Sequence, residues 1–394
     1  MRFARAWRLA LFAVFVAVTA NPAADAAASS DRGRPVKVMT RNLYLGANLN
    51  GPVRAALSAP SPGAALVAFG NANAKLWQTV VATNSPARAK LLAAEIDERE
   101  PDLIGLQEVA VWRSGPVELP NPNGSPGNFA LPNATQADYD FLAGLLTELR
   151  AVGQRYEVVA TTIEADVEGP AFLGMPGLPG YTPLADHRLT MRDVILRRSE
   201  GDIDVFESGT GNYSNAATFS VTLGDRQFKF TRGYNWADVQ VKKRAFRFIN
   251  THLESELSGY ALAQAFELMR GPAQTDQPVV LACDCNSDPL NHTIKPGDTV
   301  PHAAPYELIT GPFRFTDEWL LLHTAAEGWT SGLSETVDDD DLSDIDHRID
   351  MVFGRRPDGS AIPADRGWIT GDSARTPQGL WASDHMGVVM RLHP

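Results

Sequence analysis

Val279-Val280-Leu281-Ala282-Cys283-Asp284-Cys285-Asn286-Ser287-Asp288 passes without a break from five residues suited to an interior to an acid and an amide. The first five read as a buried strand: a short apolar run, β-branched at its start, with no turn residue inside it. Side chains on a strand alternate between faces, so Asp284 and Asn286 share one face while Cys283 and Cys285 share the other. A carboxylate and a carboxamide thus point into one cleft as two thiols pack into a core. A buried acid is costly unless a charge or a hydrogen-bond donor meets it. The stretch therefore predicts a sheet whose strand ends do chemical work.

The same arrangement recurs on either side. Asn42 follows a strand at Val36–Thr40, and Gln107-Glu108 closes one at Asp102–Gln107. Asn250-Thr251-His252 ends a strand at Ala245–Asn250, Asp350 lies within Arg348–Phe353, and Ser383-Asp384-His385 precedes Gly387–Leu392. One acid at a strand end is usually a turn or cap residue. Six such features, all of metal-ligand, acid–base or phosphate-orienting type, ask for a common site.

Further strands are expected at Tyr156–Thr161, Asp193–Leu196, Ala217–Leu223, Arg226–Thr231 and Val239–Val241. Ser85-Pro86 is a helix start, a capping serine followed by proline at the first helical position, and the helix runs to about Arg99, before Pro101. Thr135 is expected to cap a second helix with Tyr139, Leu142, Leu145, Leu146 and Leu149 on one face. Other helices fit Tyr260–Arg270 and a short piece from Thr316 through Leu322. Residues 46–75, 112–134 and 164–187 are rich in Gly, Pro, Ala and Asn and read as loop insertions. Strands and helices interleave with no linker between two cores, which predicts one large α/β domain.

The bulk composition agrees. With 394 residues, 44% of them hydrophobic and 21% charged, the chain is globular. At the N-terminus Arg2, Arg5 and Arg8 precede ten apolar residues, Leu9 to Val18, and then small residues through Ala28. Ten residues rise about 15 Å as a helix, against roughly 30 Å of bilayer core. Residues 1–28 accordingly read as a Sec-type signal peptide, and residues 29–394 as an exported domain. Removing residues 1–28, with their three arginines and one aspartate, takes the formal charge from −12 to −14. Such a surface repels nucleic acid at long range, although a bound metal can supply positive charge locally.

Only Cys283 and Cys285 are present. On a strand their α-carbons would lie about 6.6 Å apart, at the upper end of disulfide reach. They are read as buried free thiols, and a single Cys-X-Cys makes a poor zinc site. Carboxylate and carboxamide oxygens instead suit Mg²⁺, with Mn²⁺ or Ca²⁺ as alternatives. A histidine held by a carboxylate makes a general base near neutral pH, and His385 with Asp350 is the candidate pair.

Met39-Thr40-Arg41-Asn42-Leu43, Leu106-Gln107-Glu108-Val109, Asn250-Thr251-His252-Leu253, Cys283-Asp284-Cys285-Asn286, Arg348-Ile349-Asp350-Met351-Val352-Phe353 and Ser383-Asp384-His385 resemble, in order, the successive motifs of the endonuclease/exonuclease/phosphatase superfamily. Its members include DNase I-like nucleases, abasic-site endonucleases, bacterial neutral sphingomyelinases and inositol polyphosphate phosphatases. The resemblance implies a four-layer α/β/β/α sandwich with the site at one end of the two packed sheets. It also implies roles. Glu108 would be the principal metal ligand, with Asn42 beside it and Asp384 supporting the metal or the phosphate. His385, polarised by Asp350, would activate water, while Asp284 and Asn286 orient water and phosphate. His252 would stabilise phosphoryl oxygens or protonate the leaving group. Two positions depart from the family pattern: the usual Gly-Asp-Phe-Asn is Cys-Asp-Cys-Asn here, and the usual aromatic before Asn42 is Arg41.

The resemblance implies a secreted, metal-dependent phosphodiesterase acting on phospholipid, such as sphingomyelin, or on nucleic acid. A phosphomonoesterase acting on inositol phosphates or nucleotides, and a catalytically silent binding module, are the alternatives. Arg192 and Arg232 are weaker phosphate-binding candidates. The apolar residues between 170 and 181 are a candidate for peripheral membrane contact. The acidic run Asp338–Asp341 lacks the spaced ligands of a Ca²⁺ loop. No obligate protein partner is evident.

Overall fold

The computed structural model describes residues 34–120, 131–214, 221–223 and 226–394. The proposed signal segment lies outside them, as does part of the 112–134 region. Pro35 to Pro394 is one compact unit.

Its frame is two packed sheets. The first runs in the order β15 (Ala364–Thr370), β16 (Gly387–Leu392), β1 (Val36–Asn42), β2 (Leu103–Gln107), β6 (Thr182–Arg198), β3 (Val111–Gly115), β4 (Gln136–Asp140), with β5 (Tyr156–Leu173) also paired to β6. The second runs β13 (Thr316–Asp317), β14 (Asp350–Arg355), β12 (Val279–Asp284), β11 (Arg244–His252), β10 (Gly233–Val241), β7 (Ile203–Asn212). β8 (Val221–Leu223) and β9 (Arg226–Phe228) form a small separate pair.

The alternation along β12 shows how the layers arise. Val280 and Ala282 join Val38, Leu103, Ile195, Phe246, Phe248 and Val352 between the sheets. Val279, Leu281 and Cys283 turn the other way, onto Ala261, Ala265 and Leu268 of a helix spanning Ser258–Arg270. On the outer face of the first sheet, Leu92, Ala93 and Ile96 pack with Leu145 and Leu149 over Ile104, Leu106 and Val194. Helix, sheet, sheet and helix make four layers, as the motifs imply. In chain order the helices are α1 (Asn50–Leu57), α2 (Pro62–Ala82), α3 (Ser85–Arg99), α4 (Phe141–Ala151), α5 (Ser258–Arg270) and α6 (Ala304–Thr310).

Several local expectations need correction. Residues 46–75 are not a loop, since α1 and most of α2 lie there. Ser61 caps α2 by accepting from the Ala64 N–H, and Asn73 Nδ2 donates to the carbonyls of Gly169 and Pro170. Residues 164–187 are not an irregular insertion either; they are largely the paired arms of β5 and β6, meeting across a turn. These two segments support one another: Gly70 lies so close to Phe172 that an added Cβ would meet its ring at 2.3 Å. The second helix is capped by Asp140, not Thr135, which precedes the short β4. Thr316–Leu322 contains β13 and a single 3₁₀ turn rather than an α-helix. Part of the expected strand at 217–223 lies outside the described residues.

Candidate active site

The strands converge at one end, and their polar residues meet there. β1 and β2 run parallel, pairing Asn42 with Gln107. β11 and β12 also run parallel, pairing His252 with Asp284. β14 runs against β12 and sets Asp350 opposite Asp284. Beneath the site, Gln107 Nε2 donates to Asn250 Oδ1 at 2.7 Å and to Thr40 Oγ1 at 3.0 Å. Asn250 Nδ2 donates in turn to the Leu106 carbonyl at 3.1 Å. Gly105 is required here, because a Cβ would lie 2.6 Å from Asn250 Oδ1. This buried network ties the two sheets together just below the chemistry.

Asp284 is the hub. Its Oδ2 accepts from Asn42 Nδ2 at 2.9 Å and lies 3.5 Å from His252 Nε2 and 3.8 Å from His385 Nδ1. Its Oδ1 accepts from the Asn286 N–H at 3.2 Å. Burial pushes the Asp284 carboxyl up to about 7, and the Asp350 charge adds to the rise. His385 Nδ1 is 2.8 Å from Asp350 Oδ2, which leaves Nε2 for a reacting group. Burial opposes the His385 charge, but Asp350, Asp284 and Asp384 override it and hold the imidazolium well above its ordinary range. Arg41, fully buried, pairs with Glu95 at 3.0 Å and donates to the backbone carbonyl of His385. The residue that departs from the family pattern therefore fixes the main chain of His385.

Glu108 and Asp384 line a cavity of about 360 Å³ together with Arg232, Glu254, Glu256 and Glu335. Glu108 adopts a positive φ of 55° as the chain turns out of β2, and its Oε2 accepts from the Leu45 N–H at 2.8 Å. Burial raises the Asp384 carboxyl to about 6, with the Glu108 charge pushing the same way against His385. Glu108 and Asp384 both offer carboxylate oxygens to this cavity, a donor type that suits a hard divalent cation. Asn42, expected beside that cation, uses its Nδ2 on Asp284 and its Oδ1 on the Tyr44 N–H. Asn286 Nδ2 donates to the Leu253 carbonyl, so this amide also braces backbone.

His252 stands in a second group that the sequence did not reveal as a unit. Arg232 Nη1 lies 2.8 Å from His252 Nδ1, 3.5 Å from Glu164 Oε2, and its Nε lies 3.8 Å from Glu254 Oε2. Glu164, Asp193 and His252 bring one ligand atom each within 4.8 Å. Burial raises Glu164 to about 8 and Asp193 well above its ordinary value, where the Glu164 charge adds to the rise. Burial and the Arg232 charge keep His252 neutral. In the sequence Glu164 lay in a stretch read as a loop insertion and Asp193 opened an expected strand, so nothing joined them to Arg232 or His252. Arg192 is structural, donating to Asp140 and to the Val109 carbonyl.

The cysteines are not free thiols. Cys283 and Cys285 form a disulfide, with α-carbons 5.1 Å apart rather than the strand spacing. The physical reason is that β12 ends at Asp284, and the chain curls inward through Cys285 to Asn286 at φ 44°.

No protein-family model matches the sequence, and no curated protein does. Solved structures do match. One is D. rerio TDP2 complexed with a single-strand DNA product, 14% identical, covering 91% of this chain and 99% of that one at a TM-score of 0.51. Another is an endonuclease/exonuclease/phosphatase family protein from Bacteroides thetaiotaomicron, 16% identical, covering 91% and 95%, at 0.50. With its two-sheet sandwich, strand-end acids and paired histidine, the chain has the fold of the endonuclease/exonuclease/phosphatase superfamily.

Proposed function

We propose that the chain is an exported, divalent-metal-dependent phosphodiesterase acting on a phospholipid-type diester. The observation that carries the reading is the Asp350–His385–Asp284 cluster beside a cavity that also holds Glu108, Asp384 and Arg232. A water attacking phosphorus must lose a proton, and the neutral form of His385 takes it at Nε2 while Asp350 holds Nδ1 and so fixes the ring. Arg232 meets the phosphoryl oxygens. His252, contacted by Arg232 at both ring nitrogens, would protonate the departing oxygen. Asn42 and Asn286 hold Asp284 and the turn in place. A divalent cation on Glu108 and Asp384 would supply the charge that the transition state's phosphoryl oxygens need.

The cavity wall bears on the substrate. Arg232 is the one cation among its described lining residues, beside Glu108, Glu254, Glu256, Glu335 and Asp384. Leu49, Val53, Met191, Phe230 and Leu333 supply apolar surface. An acidic wall disfavours a polyanion, and a single arginine suits a monoanionic diester better than a dianionic monoester. A phosphodiester with an apolar body, as in a phospholipid, fits better than nucleic acid. Leu173, Met175 and Leu178 at the β5–β6 turn are 43–54% exposed and give the chain a point of contact with a lipid surface. Among the described residues no helix is long and apolar enough to cross a membrane. The disulfide favours an oxidising compartment and so supports export.

The deciding experiment assays an aryl phosphodiester, sphingomyelin vesicles, plasmid DNA, RNA and inositol phosphates in parallel, each with Mg²⁺ and with chelator. Metal-dependent turnover of the diesters is expected, vesicles exceeding nucleic acid. No turnover with Mg²⁺, Mn²⁺ or Ca²⁺ would sink the enzymatic reading, and preference for DNA or RNA would sink the lipid one.

A further inference from the structure

We infer that the Cys283–Cys285 disulfide is a positioning device for Asp284, and that the chain is fully active only with the bridge closed. The inference rests on the phosphodiesterase reading for its activity test, and on geometry for the rest.

Asp284 is the residue enclosed by the bridge. The strand on each side is already held: the Leu253 N–H donates to the Asp284 carbonyl at 3.0 Å, and the Cys285 N–H to the Ile349 carbonyl at 2.8 Å. What those bonds leave free is the path of the chain just beyond Asp284. An extended path would place the two cysteine α-carbons about 6.6 Å apart. The bridge holds them at 5.1 Å. That contraction turns the Asn286 N–H back onto Asp284 Oδ1. With Oδ1 engaged there, Oδ2 is the oxygen turned to Asn42 and to both histidines.

The location of the bridge argues against a role in global stability. A disulfide stabilises a fold mainly by restricting the unfolded chain, and the restriction grows with the length of the loop closed. This one closes a sequence separation of two, and restricts little beyond the residue it encloses. Both sulfurs lie in the fully buried layer against α5, where two thiols or two small apolar side chains would also pack. A core needs no bridge at this position; an acid that must serve two histidines does.

The test has two arms and a readout independent of turnover. In the first, C283A/C285A is compared with wild type on the aryl phosphodiester at saturating Mg²⁺. Displacing a reacting constellation by an ångström is worth roughly a hundredfold, so kcat is expected to fall at least roughly tenfold while KM stays within about twofold. In the second arm the unaltered chain is reduced with a phosphine. The phosphine gives up two electrons and takes oxygen from water; the S–S bond breaks, and the water's two hydrogens end on the two sulfurs. The mass gain of two hydrogens certifies the product, and kcat is expected to fall and to return on reoxidation. Hydrogen exchange is followed in both arms. Faster exchange confined to the Asn286 amide and its neighbours is expected, with the remaining core unchanged. Unaltered kcat after complete reduction overturns the inference whether or not the double variant folds, and so does unaltered exchange at Asn286. If the oxidised wild type turns over no phosphoester at all, the functional reading fails by itself, and the exchange comparison still decides the positioning role.

Discussion

His385 and His252 come to Asp284 from different sheets, and they come in different states. His385 precedes β16 of the first sheet and has three carboxylates around it, from Asp350, Asp284 and Asp384, which together overcome its burial and raise its pKa well above the ordinary value. His252 ends β11 of the second sheet, and burial together with Arg232 keeps it neutral. Burial of both rings thus ends in opposite shifts, because the neighbouring charges differ in sign. On the proposed mechanism the contrast would separate the roles: a histidine oriented by an aspartate to handle the proton of water, and one beside an arginine where negative charge develops. Arg232 is itself held by Glu164 and Glu254, so the second site carries its own acids.

The largest effect should follow from breaking the His385 side. H385A is expected to lower kcat by about 10²–10⁴, the usual range for a general base, with an unchanged circular dichroism spectrum. D350N should act through the same group. The double variant H385A/D350N is therefore expected to be no slower than H385A alone, since parts of one unit are not additive. Multiplying losses would show that Asp350 has a separate task and would undo the pairing.

Breaking the other side should look different. R232A removes a buried cation and leaves Glu164 and Glu254 without it, a change that costs about 3–5 kcal/mol when a buried pair is split. Both Tm and kcat/KM are expected to fall, the second by roughly a hundredfold, through lost charge on the phosphoryl oxygens. A normal Tm would mean that Arg232 is not the centre of this group. H252A should be milder, with kcat reduced on poor leaving groups and nearly normal on an activated aryl ester. Equal losses on both would remove His252 from leaving-group protonation.

The smallest effect sharpens the point about burial and neighbours. Glu318 is buried beside Gly354 of β14, and burial pushes its carboxyl up to about 8 from an ordinary 4.5. Asp350, on the same strand, has a histidine; Glu318 is kept neutral instead. A group whose folded value is raised favours folding fully below its unfolded value and loses that contribution as pH rises through the folded one. Wild-type stability should therefore drop between about pH 4.5 and 8 by a share that E318Q does not lose. The Tm difference between variant and wild type should grow in favour of E318Q across that window; a constant difference would show that Glu318 does not titrate there.

The sequence was informative where a strand announces itself by an apolar or alternating run with a polar residue at one end. β1, β2, β11, β12, β14 and β16 were all legible for that reason, and with them Asn42, Glu108, His252, Asp284, Asp350, Asp384 and His385. It was uninformative where an element depends on a distant neighbour. α1 and α2 carry too much Gly, Pro and Asn to be recognised as helices from propensity, and α2 is held by β5 through Asn73. The 164–187 stretch reads as punctuation until its two arms pair.

What the sequence determined alone is therefore the chemistry: the oxygen-donor set, the acid–histidine motifs and the order of the strands that carry them, because residue type and period two are local properties. What only the tertiary structure decided is partnership. It joined Glu164, Asp193 and Arg232 to His252, gave Arg41 the backbone of His385, and closed Cys283 on Cys285. Each of these depends on where the chain leaves a strand and what it meets there, and neither spacing nor composition encodes a meeting across the fold.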